Sequence, residues 1–109
     1  MKRVYICSPL GGNVSENIEN VKKYAKYVFD RGMALVIPHF YATILDDDIE
    51  VERNLGKQVG ISLLFGSDAL WVFGDKVTSG MKEEIKLAKH LKLEIKYISK
   101  EDLGGLNNG

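Results

Sequence analysis

Short apolar runs alternate with amphipathic stretches along the chain. Four runs have the length and composition of buried strands: Val4–Cys7, Met33–Ile37, Ala69–Phe73 and Leu93–Ile98. The stretches between them carry apolar residues at helical spacing. The pattern therefore predicts strands and helices in strict alternation, in the order βαβαβαβ.

Local signals give approximate bounds for the three helices. The first begins at Asn13, with Glu16 three residues on as a capping pair, and ends before Gly32. The second begins near Asp47 or Asp48, where an acidic run suits the helix dipole. The third runs from about Ser79 to Leu91. The second helix repeats an apolar residue every four positions, at Val51, Leu55, Val59 and Leu63.

Two glycines lie inside the second helix, Gly56 and Gly60. Each costs about 1 kcal/mol relative to alanine in a helix. We therefore expect close packing on this helix, from the sheet, a partner helix or a ligand.

Strands joined by such helices are parallel, with right-handed crossovers. The first and third strands are the most apolar and belong at the centre. This predicts an α/β fold with strand order 2-1-3-4 and helices on both faces. The loops 8–12 and 74–80 then converge on one crevice, at the switch point where such sheets bind ligands.

Length and charge narrow the class of protein. The chain has 109 residues, so we expect one domain over residues 1–100 and a frayed tail over 101–109. Its 15 basic and 15 acidic residues balance, which gives no overall attraction to nucleic acid or membrane. The single cysteine, Cys7, excludes an internal disulfide and is interpreted as a small buried hydrophobe. Without an apolar leader or span, we expect a cytoplasmic protein, and a domain this small favours a homodimer or higher homo-oligomer.

Both predicted loops suit an anionic ligand, because helix N-termini offer free amides and a favourable dipole. Glycines there also serve ordinary turns, so phosphate or ribose binding and a plain turn both fit. The candidate ligand-binding residues in and directly after these loops are Ser8, Pro9, Leu10, Gly11, Gly12, Ser79, Gly80 and Met81.

Glu84 is the sharpest candidate for chemistry. Helical spacing places it beside the buried face of the third helix and places Glu83 on the solvent side. A carboxylate there is either a nucleophile or base for glycosyl chemistry, or an ordinary acid stabilised by the helix dipole. Tyr5 points either into the crevice or into the core. His39 follows the second strand, where it could contact a base or sugar.

The sequence lacks the motifs of several other kinds of site. No second His or Cys is suitably spaced for a transition metal, and we expect no metal site. Neither a P-loop nor a GxGxxG motif is present, which argues against NTP hydrolysis and dinucleotide hydride transfer, and we expect no cofactor.

Two motifs resemble the nucleoside 2-deoxyribosyltransferase-like superfamily, which includes the 2'-deoxynucleoside 5'-phosphate N-hydrolases. They are YICSPLGG at 5–12 and SGMKEEI at 79–85, and the likeness spans about residues 3–98. The whole chain looks closest to a compact branch of bacterial and phage proteins. The resemblance implies a three-layer, flavodoxin-like or Rossmann-like parallel sheet.

The resemblance also implies roles for residues. Glu84 matches a nucleophile that attacks the anomeric carbon, and Tyr5 matches a tyrosine beside it. Gly11, Gly12, Ser79 and Gly80 match the phosphate or 5'-hydroxyl side. An Asp that helps to protonate the leaving base in the family falls at Gly60 here.

We therefore expect a protein that binds a nucleoside or nucleotide and cleaves or transfers its N-glycosidic bond through Glu84. The alternative is a non-catalytic binder, a sensor or sponge for an ADP-ribose or cyclic-nucleotide species. Neither interpretation calls for a cofactor, nucleic acid or a membrane.

Overall fold

The predicted strands and helices form, within a few residues of their expected bounds. The computed structural model describes residues 1–10 and 13–107. Strands β1 to β4 cover Arg3–Cys7, Ala34–Val36, Ala69–Val72 and Glu94–Tyr97. Helices α1 to α4 cover Val14–Phe29, Glu50–Phe65, Ser79–His90 and Lys100–Asn107, and a 3-10 helix, Pro38–Thr43, follows β2.

Within the described residues, four strands form a parallel sheet in the predicted order β2-β1-β3-β4. Tyr5 of β1 lies opposite Val36 of β2 and Leu70 of β3. The central position of β1 brings the loops after β1 and β3 to the same edge of the sheet. The crevice predicted at this switch point therefore has its two neighbouring loops in place.

The alternation of side chains along β1 separates two cores. Val4 and Ile6 pack with α1, and Leu103 of α4 joins them. Tyr5 and Cys7 pack on the opposite face, with residues of α2 and α3. Helices thus cover both faces, as predicted, and the polar atoms of Tyr5 and Cys7 belong to the face covered by α2 and α3.

Helix α2 begins at Glu50, later than the predicted start near Asp47 or Asp48. The acidic run forms a turn instead, in which the Asp46 carboxylate accepts the backbone N–H of Asp48 at 2.9 Å. Aspartate side chains compete with helical hydrogen bonds in this way. The acidic residues of the first helical turn are Glu50 and Glu52.

The segment predicted as a frayed tail is instead helical over Lys100–Asn107. Ser99 and Asp102 cap this helix reciprocally: the Ser99 hydroxyl accepts the Asp102 N–H at 3.1 Å, and the Asp102 carboxylate accepts the Ser99 N–H at 3.0 Å. The Ser99 N–H and, at 2.9 Å, the Ser99 hydroxyl both donate to the Asp102 carboxylate, which holds the pKa of Asp102 below its usual range. Leu103 then anchors the helix on the α1 core.

Both glycines of α2 face a neighbouring side chain. A Cβ added at Gly56 would lie 3.6 Å from Leu45 Cδ1, and one at Gly60 would lie 3.5 Å from the Tyr5 hydroxyl. These are ordinary contact distances, so a Cβ would fit at both positions and the close packing expected at these glycines is not found, although Gly60 does lie beside Tyr5 of β1. Within the part of the chain that the structure describes, no helix is long and apolar enough to cross a membrane.

Candidate active site

Helix α3 presents Glu84 to the sheet. Thr78 caps the helix, since its Oγ1 accepts the Met81 N–H at 3.3 Å. Met81, Ile85 and Ala88 are buried below it, which fixes the rotation of the helix. Glu84 is half-buried at the margin of this face and Glu83 is exposed, as the spacing predicts.

Two side chains of β1 meet the Glu84 carboxylate. The Tyr5 hydroxyl donates a hydrogen bond to Glu84 Oε2. The Cys7 Sγ lies 3.6 Å from Oε1 and 3.9 Å from the carbonyl oxygen of Met81. Of the two orientations considered for Tyr5, the structure shows the one in the core, from where its hydroxyl reaches Glu84.

Opposing effects act on the pKa of Glu84. Burial raises the pKa of Glu84, and the charge of the nearby Glu83 raises it further. The hydrogen bonds from Tyr5 and Cys7 lower it. Burial is the largest of these effects, so the pKa of Glu84 stays raised. Burial, with the charge of Glu84, also raises the pKa of Tyr5 and of Cys7. Both therefore remain protonated donors toward the carboxylate near neutral pH.

Ser8, which follows Cys7 in the chain, forms a second polar pair with His39 of the 3-10 helix. Ser8 Oγ lies 2.8 Å from His39 Nε2, and the Ser8 carbonyl oxygen lies 3.2 Å from the same nitrogen. His39 is 2% exposed, and its Nδ1 has no hydrogen-bond partner among the described residues. Burial lowers the pKa of His39 despite the bond to Ser8, so the ring is neutral. A buried ring nitrogen without a partner is a candidate for a ligand contact.

The two predicted loops meet at Pro9. A Cβ added at Gly74 would lie 3.1 Å from Pro9 Cδ, and Gly74 has a φ of +99°, so glycine is required there for both reasons. The Leu10 carbonyl accepts a bond from the Asn17 side chain at 2.9 Å. The convergence expected of the loops is thus present in their described parts. Gly11 and Gly12 lie outside the described residues.

The remaining predicted residues lie either on the surface or in the core. Ser79 and Gly80 form the exposed first turn of α3, and a Cβ at Gly80 would meet open space. Met81, expected at the ligand wall, has its side chain in the core and its carbonyl near Cys7. Among the described residues, no three His, Cys, Asp or Glu side chains lie close enough together to hold a metal ion.

Sequence reasoning missed two residues of this arrangement. Cys7 looked like a small hydrophobe, although it lies two residues after Tyr5 and hence on the same face of β1. Thr78 precedes the predicted helix start and is its cap. Strand alternation and the helix-capping preference for threonine were the signals that could have found them.

An open cavity of about 820 Å³ lies elsewhere, between α1, α4 and the loop after β3. Tyr24, Lys76 and Lys100 are among its lining residues, and it shares Pro9 and Gly74 with the converging loops. Glu84 does not line it. The cavity and the carboxylate group therefore lie on opposite faces of the sheet.

Comparison with known protein families gives a matching family model. The model of a family described as a domain of unknown function (DUF7768) matches residues 2–98. The chain belongs to this family. A comparison with curated proteins gives no match.

The fold of this DUF7768 member also occurs in an enzyme of known structure. A 2-deoxyribosyltransferase from the psychrotolerant bacterium Bacillus psychrosaccharolyticus matches with a TM-score of 0.71 and 16% identity, over 87% of this chain and 70% of that chain. The likeness confirms the deoxyribosyltransferase-like fold that the two motifs predict.

Proposed function

We propose that the protein binds a nucleoside or nucleotide and cleaves or transfers its N-glycosidic bond, with Glu84 as the nucleophile. The observation that carries the proposal is the pairing of a half-buried carboxylate, Glu84, with the Tyr5 hydroxyl of the central strand β1. The shared fold with a 2-deoxyribosyltransferase supports it.

In the first step a Glu84 oxygen attacks the anomeric carbon of the sugar. The bond to the base breaks, its electron pair passes to the base nitrogen, and the base takes a proton from solvent. The product is an ester between Glu84 and the sugar. Water or a second base then attacks the same carbon and restores the free carboxylate, which gives hydrolysis or transfer.

Each part of the surrounding group has a function in this proposal. Tyr5 orients Glu84 and, by its hydrogen bond, opposes the rise that burial causes in the pKa of Glu84. The α3 N-terminus, with Ser79 and Gly80, takes the phosphate or 5'-hydroxyl side. His39 offers its unpartnered Nδ1 to the base or sugar, and Ser8 holds the ring by Nε2.

Base release tests this proposal. Purified protein is incubated with deoxynucleosides, their 5'-monophosphates and ADP-ribose, and free base is followed by chromatography. We expect base release that is lost in Glu84→Ala and retained in Glu83→Ala, the matched neighbour on the solvent side. Equal base release from wild type and Glu84→Ala would contradict the role of Glu84.

One observation favours the alternative of a non-catalytic binder. Gly60 occupies the place on α2 beside the Tyr5 hydroxyl, so this position supplies no acid for the leaving base. A binder would hold an ADP-ribose or cyclic-nucleotide species in the same site. Calorimetry separates the two, because a binder gives saturable heat without base release and Glu84→Ala changes its affinity little.

A further inference from the structure

Each oxygen of the Glu84 carboxylate faces a different donor of β1. Oε2 accepts the Tyr5 hydroxyl, and Oε1 lies 3.6 Å from Cys7 Sγ. The other acceptor near the thiol, the carbonyl of Met81, is further away at 3.9 Å. Because the S–H group has one hydrogen, its nearer acceptor is the carboxylate.

The thiol keeps its proton in this environment. Cys7 is fully buried, and the charge of Glu84 opposes a second negative charge beside it. Among the described residues, the groups that act on the pKa of Glu84 are Tyr5 and Cys7 from β1 and Glu83 from α3. On the α2 side, Gly60 contributes no charge.

The two donors differ in strength. A hydroxyl bonded to a carboxylate forms a strong, charge-assisted bond, whereas a thiol is a weak donor. Oε2 is therefore the more heavily hydrogen-bonded oxygen. Oε1 keeps more of its electron density available while the thiol still limits rotation of the carboxylate.

We propose that Cys7 is a positioning residue whose S–H bond orients Glu84 and makes Oε1 the attacking oxygen. The attack rests on the proposed function, but the S–H···carboxylate bond does not depend on it. The two parts can therefore fail separately.

Infrared spectroscopy tests the bond directly. Cys7 is the only cysteine of the chain, so the S–H stretching band belongs to one residue. We expect this band to shift to higher frequency in Glu84→Gln, since a neutral amide accepts more weakly than a carboxylate. Glu83→Gln, with its side chain in solvent, leaves the band unchanged.

A pH titration of the wild-type protein tests the same bond without a variant, because the S–H band shifts in one step as acid protonates Glu84. A band that responds neither to pH nor to Glu84→Gln overturns the inference, whatever the outcome of the base-release assay.

Two substitutions at Cys7 test the effect on Glu84. Cys7→Ala removes the donor, so the pKa of Glu84 rises, and kcat falls roughly tenfold with little change in KM because the nucleophile is less well held. Cys7→Ser keeps a donor and restores the pKa of Glu84, measured by ¹³C NMR, to the wild-type value or below. Equal upward shifts in both variants would indicate packing alone and contradict the positioning role.

Discussion

Glu84 keeps a carboxylate where burial opposes its charge, and this has a cost in stability. The pKa of Glu84 is raised in the folded protein, mainly by burial. The folded state therefore holds the proton more tightly than the unfolded state, and stability falls as the pH rises from the unfolded pKa through the folded pKa. Above that window the full cost of the buried charge remains.

The substitution Glu84→Gln removes this charge while keeping the shape and an acceptor oxygen. We expect the melting temperature to rise by a few °C at about pH 8, and the gain to vanish at about pH 4, where the carboxyl approaches neutrality in both states. Thermal unfolding at both pH values measures it. Glu83→Gln is the control and changes little. An equal melting temperature for Glu84→Gln and wild type at the higher pH would contradict a buried charge at Glu84.

Tyr5→Phe removes the hydroxyl donor and leaves the buried ring in place. Because the Tyr5 bond lowers the pKa of Glu84, its loss raises that pKa further. We expect the acid limb of the kcat–pH profile to move to higher pH and kcat to fall roughly tenfold or more. Tyr24→Phe is the matched control, since Tyr24 stacks on Phe73 in the other core. A similar shift in both variants would show that the hydroxyl of Tyr5 has no particular part in the chemistry.

These residues differ in how far the sequence could predict them. Helical spacing placed Glu84 beside the buried face, and the structure agrees. The Ser8–His39 pair joins residues 31 positions apart, and their contact depends on the pairing of β1 with β2 and on the 3-10 helix after β2. Local pattern holds no information on such a contact. Cys7 was missed because a thiol inside an apolar strand has the same pattern as any small hydrophobe.

At the scale of elements, α2 packs beside the Tyr5–Glu84 pair. Its Gly60 lies against the Tyr5 hydroxyl, where a Cβ would be in ordinary contact at 3.5 Å. An added side chain therefore fits beside Tyr5 without displacing the sheet. Under the proposed function, an acid at this position of α2 would lie beside Tyr5 and could reach the leaving base.

Gly60→Asp tests that position, with Gly60→Ala as its matched control. Alanine stabilises the helix by about 0.5–1 kcal/mol, because glycine is a poor helix residue. Aspartate adds a carboxyl group that can protonate the leaving base, and we expect base release roughly 10–100-fold faster than in Gly60→Ala. The measurement is base release at about pH 6, where part of the added carboxyl keeps its proton near Glu84. Equal rates in the two variants would show that the base does not leave on the α2 side.

The elements also show where sequence patterns lose accuracy. Strand and helix order followed from periodicity, because each core face repeats regularly along β1 and α1. The start of α2 was displaced by the turn that Asp46 and Asp48 form, which favours the same residues as a helix N-terminus. The segment after β4 looked unstructured, yet the reciprocal Ser99–Asp102 cap and the Leu103 contact suffice for a short helix.

At the scale of the whole molecule, the outer face of α2 carries exposed apolar side chains between the polar residues Gln58 and Ser62. At about 100° per residue, Val51, Leu55 and Phe65 lie on the side of the helix opposite Gly60 and Leu64. Val51 is 76% exposed and Phe65 is 62% exposed. Surface apolar residues on one helix face are typical of interaction sites, and identical patches on two copies can pair about a two-fold axis. We therefore propose that a second copy of the chain covers this face, in keeping with the homo-oligomer expected from the small size of the domain.

Phe65→Lys tests this association. A charge buried in an apolar interface loses its water without gaining a partner, so the copies separate. Phe29→Lys is a close control, because Phe29 is also a phenylalanine at the end of a helix and is 61% exposed, but on α1. Light scattering should give the wild type and Phe29→Lys at least twice the 12.2 kDa of one chain, and Phe65→Lys the mass of one chain. A wild type at the mass of a single chain would contradict the proposal. A Phe65→Lys protein of unchanged mass would exclude α2 as the interface while leaving association itself in place.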